Sequence, residues 1–183
     1  AVSKKYICVF MYFAIGLMLF APEILFIMGG NEYIDAKYVI TPVAMGCVCH
    51  FLYQLFGNVE QFERKTIGMA IASATAALIN YILNAIFIPK IGYLAAAYTT
   101  LIGELCLLSI HMILVFRLKL SQIYDYKFVI GTVIIGIVLM LIITYLYTFN
   151  ALIRYCVVIG YSIVTVYFSI NNKQFLETIF RKH

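Results

Sequence analysis

Apolar residues fall in six runs along the chain: Tyr6–Met28, Val39–Gly57, Thr66–Ile88, Tyr93–Phe116, Phe128–Phe149 and Ala151–Ile170. Each holds about 19–24 residues, and a helix needs about 20 to cross the hydrocarbon core of a bilayer. Pro42 and Gly46 interrupt the start of the second run. The gaps between runs are short and polar, and none has room for a soluble domain. The last two runs nearly abut at Phe149 and Asn150, which predicts a tight antiparallel hairpin. The pattern therefore predicts an all-α fold, a polytopic membrane helix bundle of about six transmembrane helices. The opening run is too long for the core of a signal peptide. The chain starts at Ala1, so residues 1–183 read as a single transmembrane region cut from a longer polypeptide.

Polar positions inside the runs carry the functional information, because polar groups are costly in a bilayer. In the third run, Thr66, Ala70, Ser73, Ala77, Asn80 and Asn84 recur at alternating spacings of four and three, which is one helical face. Ile71, Leu78, Ile82 and Leu83 fill the other faces. Such a stripe serves either close helix packing through small residues or the wall of a polar cavity. The fourth run repeats the device with Tyr93, Ala97, Thr100, Glu104 and His111. Glu104 stands near mid-span, where an unpaired ionised acid costs about 2.5–3.5 kcal/mol. It should therefore be protonated, paired or in contact with water. It is either a structural hydrogen-bonding acid or a proton- or cation-coupling site. Only Pro89-Lys90-Ile91-Gly92 separates these two helices, so they should be neighbours. Asn80 lies about 13 Å and Glu104 about 18 Å from that turn at 1.5 Å per residue. A hydrogen bond between the two is expected. Glu23, behind Pro22, reads as an interfacial acid or a pocket residue. Gln54, Asn58 and Glu60 are weaker candidates at the inner end of the second run. His111 reads as a residue near the end of its span with no part in the site.

Composition and charge agree with the pattern. Hydrophobic residues make up 64% of the chain and charged residues 11%, against roughly 25% charged in soluble domains. The net charge of +5 is therefore read as topology rather than as a nucleic-acid signal. Of the 13 Lys and Arg, ten fall in the terminal segments and in the second and fourth loops. Lys37, Lys90 and Arg154 fall on the other side. The positive-inside rule then places both termini in the cytoplasm and residues 29–38 outside. Tyrosines at the span ends, among them Tyr6, Tyr93, Tyr124 and Tyr145, supply an interfacial belt in a chain without Trp. Five cysteines lie within apolar runs at spacings that suit neither a metal site nor a disulfide framework. The sequence holds no phosphate-binding glycine loop, no G-x-S-x-G and no H-E-x-x-H. No cofactor and no catalytic residue is expected.

Ala21-Pro22-Glu23-Ile24 followed by Gly30-Asn31-Glu32-Tyr33-Ile34-Asp35-Ala36 resembles a stretch of the Wzx-type polysaccharide and O-antigen flippases, within the multidrug/oligosaccharidyl-lipid/polysaccharide exporter superfamily. The ordered set Ala77-Leu78-Ile79-Asn80, Asn84, Ile88-Pro89-Lys90-Ile91-Gly92 and Ala95-Ala96-Ala97 is similar to a second stretch of that family, with Leu94 where a glycine is usual. The likeness runs from about Ala21 to Leu105. It implies the C-terminal half of a 12–14-helix, two-lobe transporter in the bacterial inner membrane. The implied substrate is an undecaprenyl-pyrophosphate-linked oligosaccharide, moved by alternating access. H+ or Na+ is the implied coupling ion, and membrane lipid and polysaccharide assembly proteins are the implied partners. Glu104, Asn80, Asn84, Ser73, Thr100 and Glu23 are then the cavity or coupling candidates. Two other readings stay open: a multidrug/cation antiporter of the same superfamily, and a membrane-embedded polymerase or sugar-transferring enzyme.

Overall fold

The computed structural model describes residues 2–120, 122–149 and 151–171, and every regular element among them is helical. In chain order they are α1 (Val2–Leu19), α2 (Ala21–Gly29), a 3-10 segment (Asn31–Ala36), α3 (Lys37–Phe62), α4 (Thr66–Ile91), α5 (Tyr93–Arg117), α6 (Tyr126–Leu146) and α7 (Ala151–Asn171). Four of these, α3 with its 3-10 lead, α4, α5 and α6, are long and apolar enough to cross a membrane. The protein is a membrane helix bundle.

The first expected span is broken. α1 and α2 meet at an angle of 61° and cross, if at all, as one bent pair. Pro22 causes the break: it has no N–H for the carbonyl one turn back, and its ring crowds that turn. Residues 31–36, expected as an external loop, form the 3-10 segment that runs into α3. Helix α3 also begins two residues before the second apolar run and continues five residues past Gly57. The turn between α4 and α5 lies where expected. Gly92 takes φ +81°, a left-handed conformation that a side chain disfavours, and its N–H closes α4 on the Ile88 carbonyl.

The chain divides into two compact units, Ala1–Thr144 and Tyr145–His183. In the first, α3 is the central helix. It packs along α5 and α1, and α4 packs along α5. Met45, Val48, Leu52 and Phe56 of α3 are wholly buried. In lipid such packing is held by dispersion contacts and close approach rather than by water expulsion, so small residues matter. A Cβ on Gly136 of α6 would lie 2.5 Å from the Met11 methyl group and 2.8 Å from that of Met45. Glycine there lets α6 settle on α1 and α3. The Thr41 and Thr144 hydroxyls add a hydrogen bond of 2.8 Å between α3 and α6. Ile67, Ile71, Leu78, Ile134 and Ile135 point outward, as lipid-facing residues do. In the second unit, a turn at residues 147–149 precedes α7, and the Tyr145 and Phe149 rings meet edge to face. The sixth expected span corresponds to α7, Ala151–Asn171. The hairpin residue Asn150 lies outside the described residues.

Candidate functional site

Helices α3 and α5 run parallel, and their shared seam holds two carboxylate–imidazole pairs in opposite order. His50 of α3 meets Glu104 of α5, its Nδ1 lying 3.2 and 3.1 Å from the two carboxylate oxygens. Further along, Glu60 of α3 meets His111 of α5, with Nδ1 2.7 Å from Oε1. Ten residues separate the pairs on α3 and seven on α5, so they differ in depth by about 10–15 Å. Tyr53 lies between the imidazoles, edge-on to His50 at 4.7 Å and stacked on His111 at 5.2 Å.

The sequence builds this face by spacing. Gly46, His50, Tyr53, Gly57 and Glu60 follow one another at four, three, four and three residues, one stripe of α3. Gly46 faces Glu104, where a Cβ would stand 3.9 Å from the Glu104 Cγ, an ordinary contact. On α5, Glu104 and His111 are seven apart, two helical turns.

The two pairs differ in environment. His50 is 46% exposed and Glu104 23%, at the middle of both helices. Glu60 and His111 are each 1% exposed. Glu60 Oε2 and His111 Nε2 are buried with no hydrogen-bond partner. Each such orphaned atom costs about 1–3 kcal/mol, so the sealed pair is held against a standing penalty.

A second polar seam joins α4 to α5. The Asn84 side-chain N–H donates to the Asn80 carbonyl at 2.9 Å, and the Thr99 hydroxyl meets the Asn84 carbonyl. A Cβ on Gly103 would lie 3.3 Å from the Asn80 Cβ, so glycine sets this spacing. Asn80 thus bonds along its own helix, and Glu104 reaches His50 rather than Asn80. Thr100 turns its hydroxyl back to the Ala96 carbonyl. Ser73 is exposed on α4, and Glu23 lies in the first turn of α2.

Of the residues expected to line a site, Asn80 and Asn84 therefore meet on the α4–α5 seam, Glu104 turns instead to His50 of α3, and Thr100 and Ser73 join neither. Sequence reasoning missed His50, Tyr53 and the pairing of Glu60 with His111. The signal was present as the α3 stripe, hidden because the apolar run ends at Gly57 while the helix does not. An apolar groove of about 340 Å³ between α1 and α3, lined by Phe10, Phe13, Leu17, Val39, Val43 and Cys47, has no part in this chemistry. Among the described residues no group of three side chains suits a metal ion. No family model, curated protein or solved structure matches the chain.

Proposed function

We propose that this chain is one lobe of an ion-coupled transporter that flips lipid-linked oligosaccharides across the bacterial inner membrane, with both termini in the cytoplasm. The observation that carries the transport reading is the His50–Glu104 pair. It lies at mid-helix, and both side chains are partly open at the surface of the bundle. An ionisable pair at that depth does not face lipid, since the energetic cost is too high. It faces water or a second protein lobe, and either suits a central cavity between two lobes. The substrate class rests on the resemblance of residues 21–105 to the polysaccharide flippases.

In this reading Glu104 is the coupling acid. It exchanges a proton or cation with the cavity, and His50 is its partner across the seam. The neutral Asn80–Asn84–Thr99 contact keeps α4 and α5 together while the lobe moves. Deleting the gene should stop surface polysaccharide while lipid-linked units accumulate on the inner leaflet. Normal surface polymer with raised drug sensitivity would instead assign the protein to the exporters. Cysteine labelling tests the orientation in a background stripped of native cysteines. An impermeant reagent added to intact cells should label position 31 and not position 122.

A further inference from the structure

The sealed pair is not needed for the coupling role given to Glu104, and its geometry is unlike that of the open pair. Two side chains capable of charge are 1% exposed, joined by one contact of 2.7 Å, and each leaves a polar atom unmet. Glu60 is in the last turn of α3, and His111 is two turns from the end of α5. The pair therefore sits toward the end of the seam that leads to Arg64, Lys65, Arg117 and Lys119.

We propose that Glu60 and His111 form a second proton-binding site, and that loss of its proton opens this end of the α3–α5 seam to water. The argument is one of net charge. With its proton the pair is a carboxylate and an imidazolium, or a carboxylic acid and an imidazole, and sums to zero. Without it, a neutral imidazole donates Nδ1–H to a carboxylate, and one negative charge stays buried. Burying an uncompensated charge is far costlier than burying a neutral pair. The proton leaves to bulk water, and the charge left behind is relieved only if water reaches Oε2. Among the described residues the surroundings offer no other relief. From α3, Tyr53 covers the imidazole face. Tyr124, ahead of α6, and Tyr126, at its start, pack on the Phe56 ring at 5.3 and 5.4 Å, and the Tyr126 hydroxyl is committed to the Met112 carbonyl at 3.1 Å. The α4 face packed against Leu107 presents Ala72 and Ala76. Glu63, Arg64, Lys65, Arg117, Lys119, Asp125 and Lys127 are all exposed, as are Lys4 and Lys5. Tyr53 touches both imidazoles, so opening at His111 also disturbs the packing beside His50. The site thereby ties the two pairs into one switch. The inference rests on the transporter reading only for the purpose of that switch.

Backbone amide hydrogen exchange, read by mass spectrometry on the full-length protein in liposomes, tests this without any transport assay. The readout is the exchange rate of peptides around Glu60 and His111 relative to a peptide from the middle of α4, each corrected for the intrinsic rise of amide exchange with pH and followed from about pH 6 to about pH 9. The ratio should rise several-fold with pH from its value at the acid end. In Glu60→Gln, which keeps the hydrogen bond and bears no charge, it should stay at the acid value throughout; if that variant does not insert, the wild-type ratio decides alone. A ratio that is flat in the wild type overturns the proposal. So does a rise that persists without the carboxylate. A gene deletion that leaves surface polymer intact would overturn the flippase reading and leave this result untouched.

Discussion

Helix α5 meets α4 on one side and α3 on the other, and the polar groups on the two sides differ in kind. Towards α4 they are amides and a hydroxyl, Asn80, Asn84 and Thr99, which carry no charge at any pH of interest. Towards α3 they are two carboxylate–imidazole pairs. The neutral seam satisfies its groups at modest gain and holds one arrangement. The ionisable seam changes its energy whenever a proton arrives or leaves. One helix thus carries a fixed joint on one face and an adjustable one on the other, as the proposed transport would use.

The contrast is sharpest at the sealed pair. Replacing Glu60 or His111 alone by Leu should destabilise the protein by about 3–5 kcal/mol, because the remaining partner is left buried and unpaired. The double replacement, Glu60→Leu with His111→Leu, should recover most of that loss. Thermal unfolding in detergent for all four proteins gives the coupling directly, and additive losses would deny that the residues act as a pair.

On the neutral side, Gly103→Val should cost about 1–3 kcal/mol by driving Asn80 away from α5. Asn84→Ala should cost only about 0.6–1.7 kcal/mol, the range measured for hydrogen bonds between membrane helices. The Asn84→Ala loss should be the same at acid and alkaline pH, and a pH-dependent loss would erase the distinction between the seams.

The smallest effect belongs to a pair outside the bundle core. Lys4 lies 2.6 Å from Asp125, and the Asp125 carboxylate accepts the Phe128 N–H at the start of α6. The Lys4 hydrogen bond first, and the backbone N–H second, hold the Asp125 carboxyl below its ordinary 3.8. A carboxyl lowered in the folded state stabilises fully above the ordinary value, and that stabilisation fades as pH falls through the lower folded value. Asp125→Asn keeps the helix cap and removes the charge, so it should flatten stability against pH on that acid limb and change little at neutrality. Unfolding midpoints across the acid range provide the check.

The α4–α5 hairpin was legible in the sequence because its runs and its turn agree. Two apolar runs of the right length flank a Pro-Lys-Ile-Gly turn, but the stripes do not mark the facing sides: Thr66, Ala70, Ser73 and Ala77 are exposed, α4 meets α5 through Ala72, Ala76 and Asn80, and Glu104 and His111 turn to α3. The bend at Pro22 was not foreseen, because hydropathy averages across a proline that breaks the helix. The α3 face was missed for the opposite reason: helix bonding runs past the end of the apolar run, so Glu60 read only as a weaker candidate at the inner end of the span though it is buried. Glu104 stood out because an acid at mid-span needs a partner. Its partner lay 54 residues away on a helix judged by its apolar content, and chain spacing alone carries no information about such a meeting.

Transport by Glu104→Gln tests the central claim most directly. The variant keeps the size and hydrogen-bonding capacity of the side chain and fixes it neutral. Surface-polymer output, normalised to the amount of protein in the membrane, should fall to near that of the gene deletion while insertion stays normal. Wild-type output at normal protein level would contradict the account and leave the His50–Glu104 pair as a structural contact between α3 and α5.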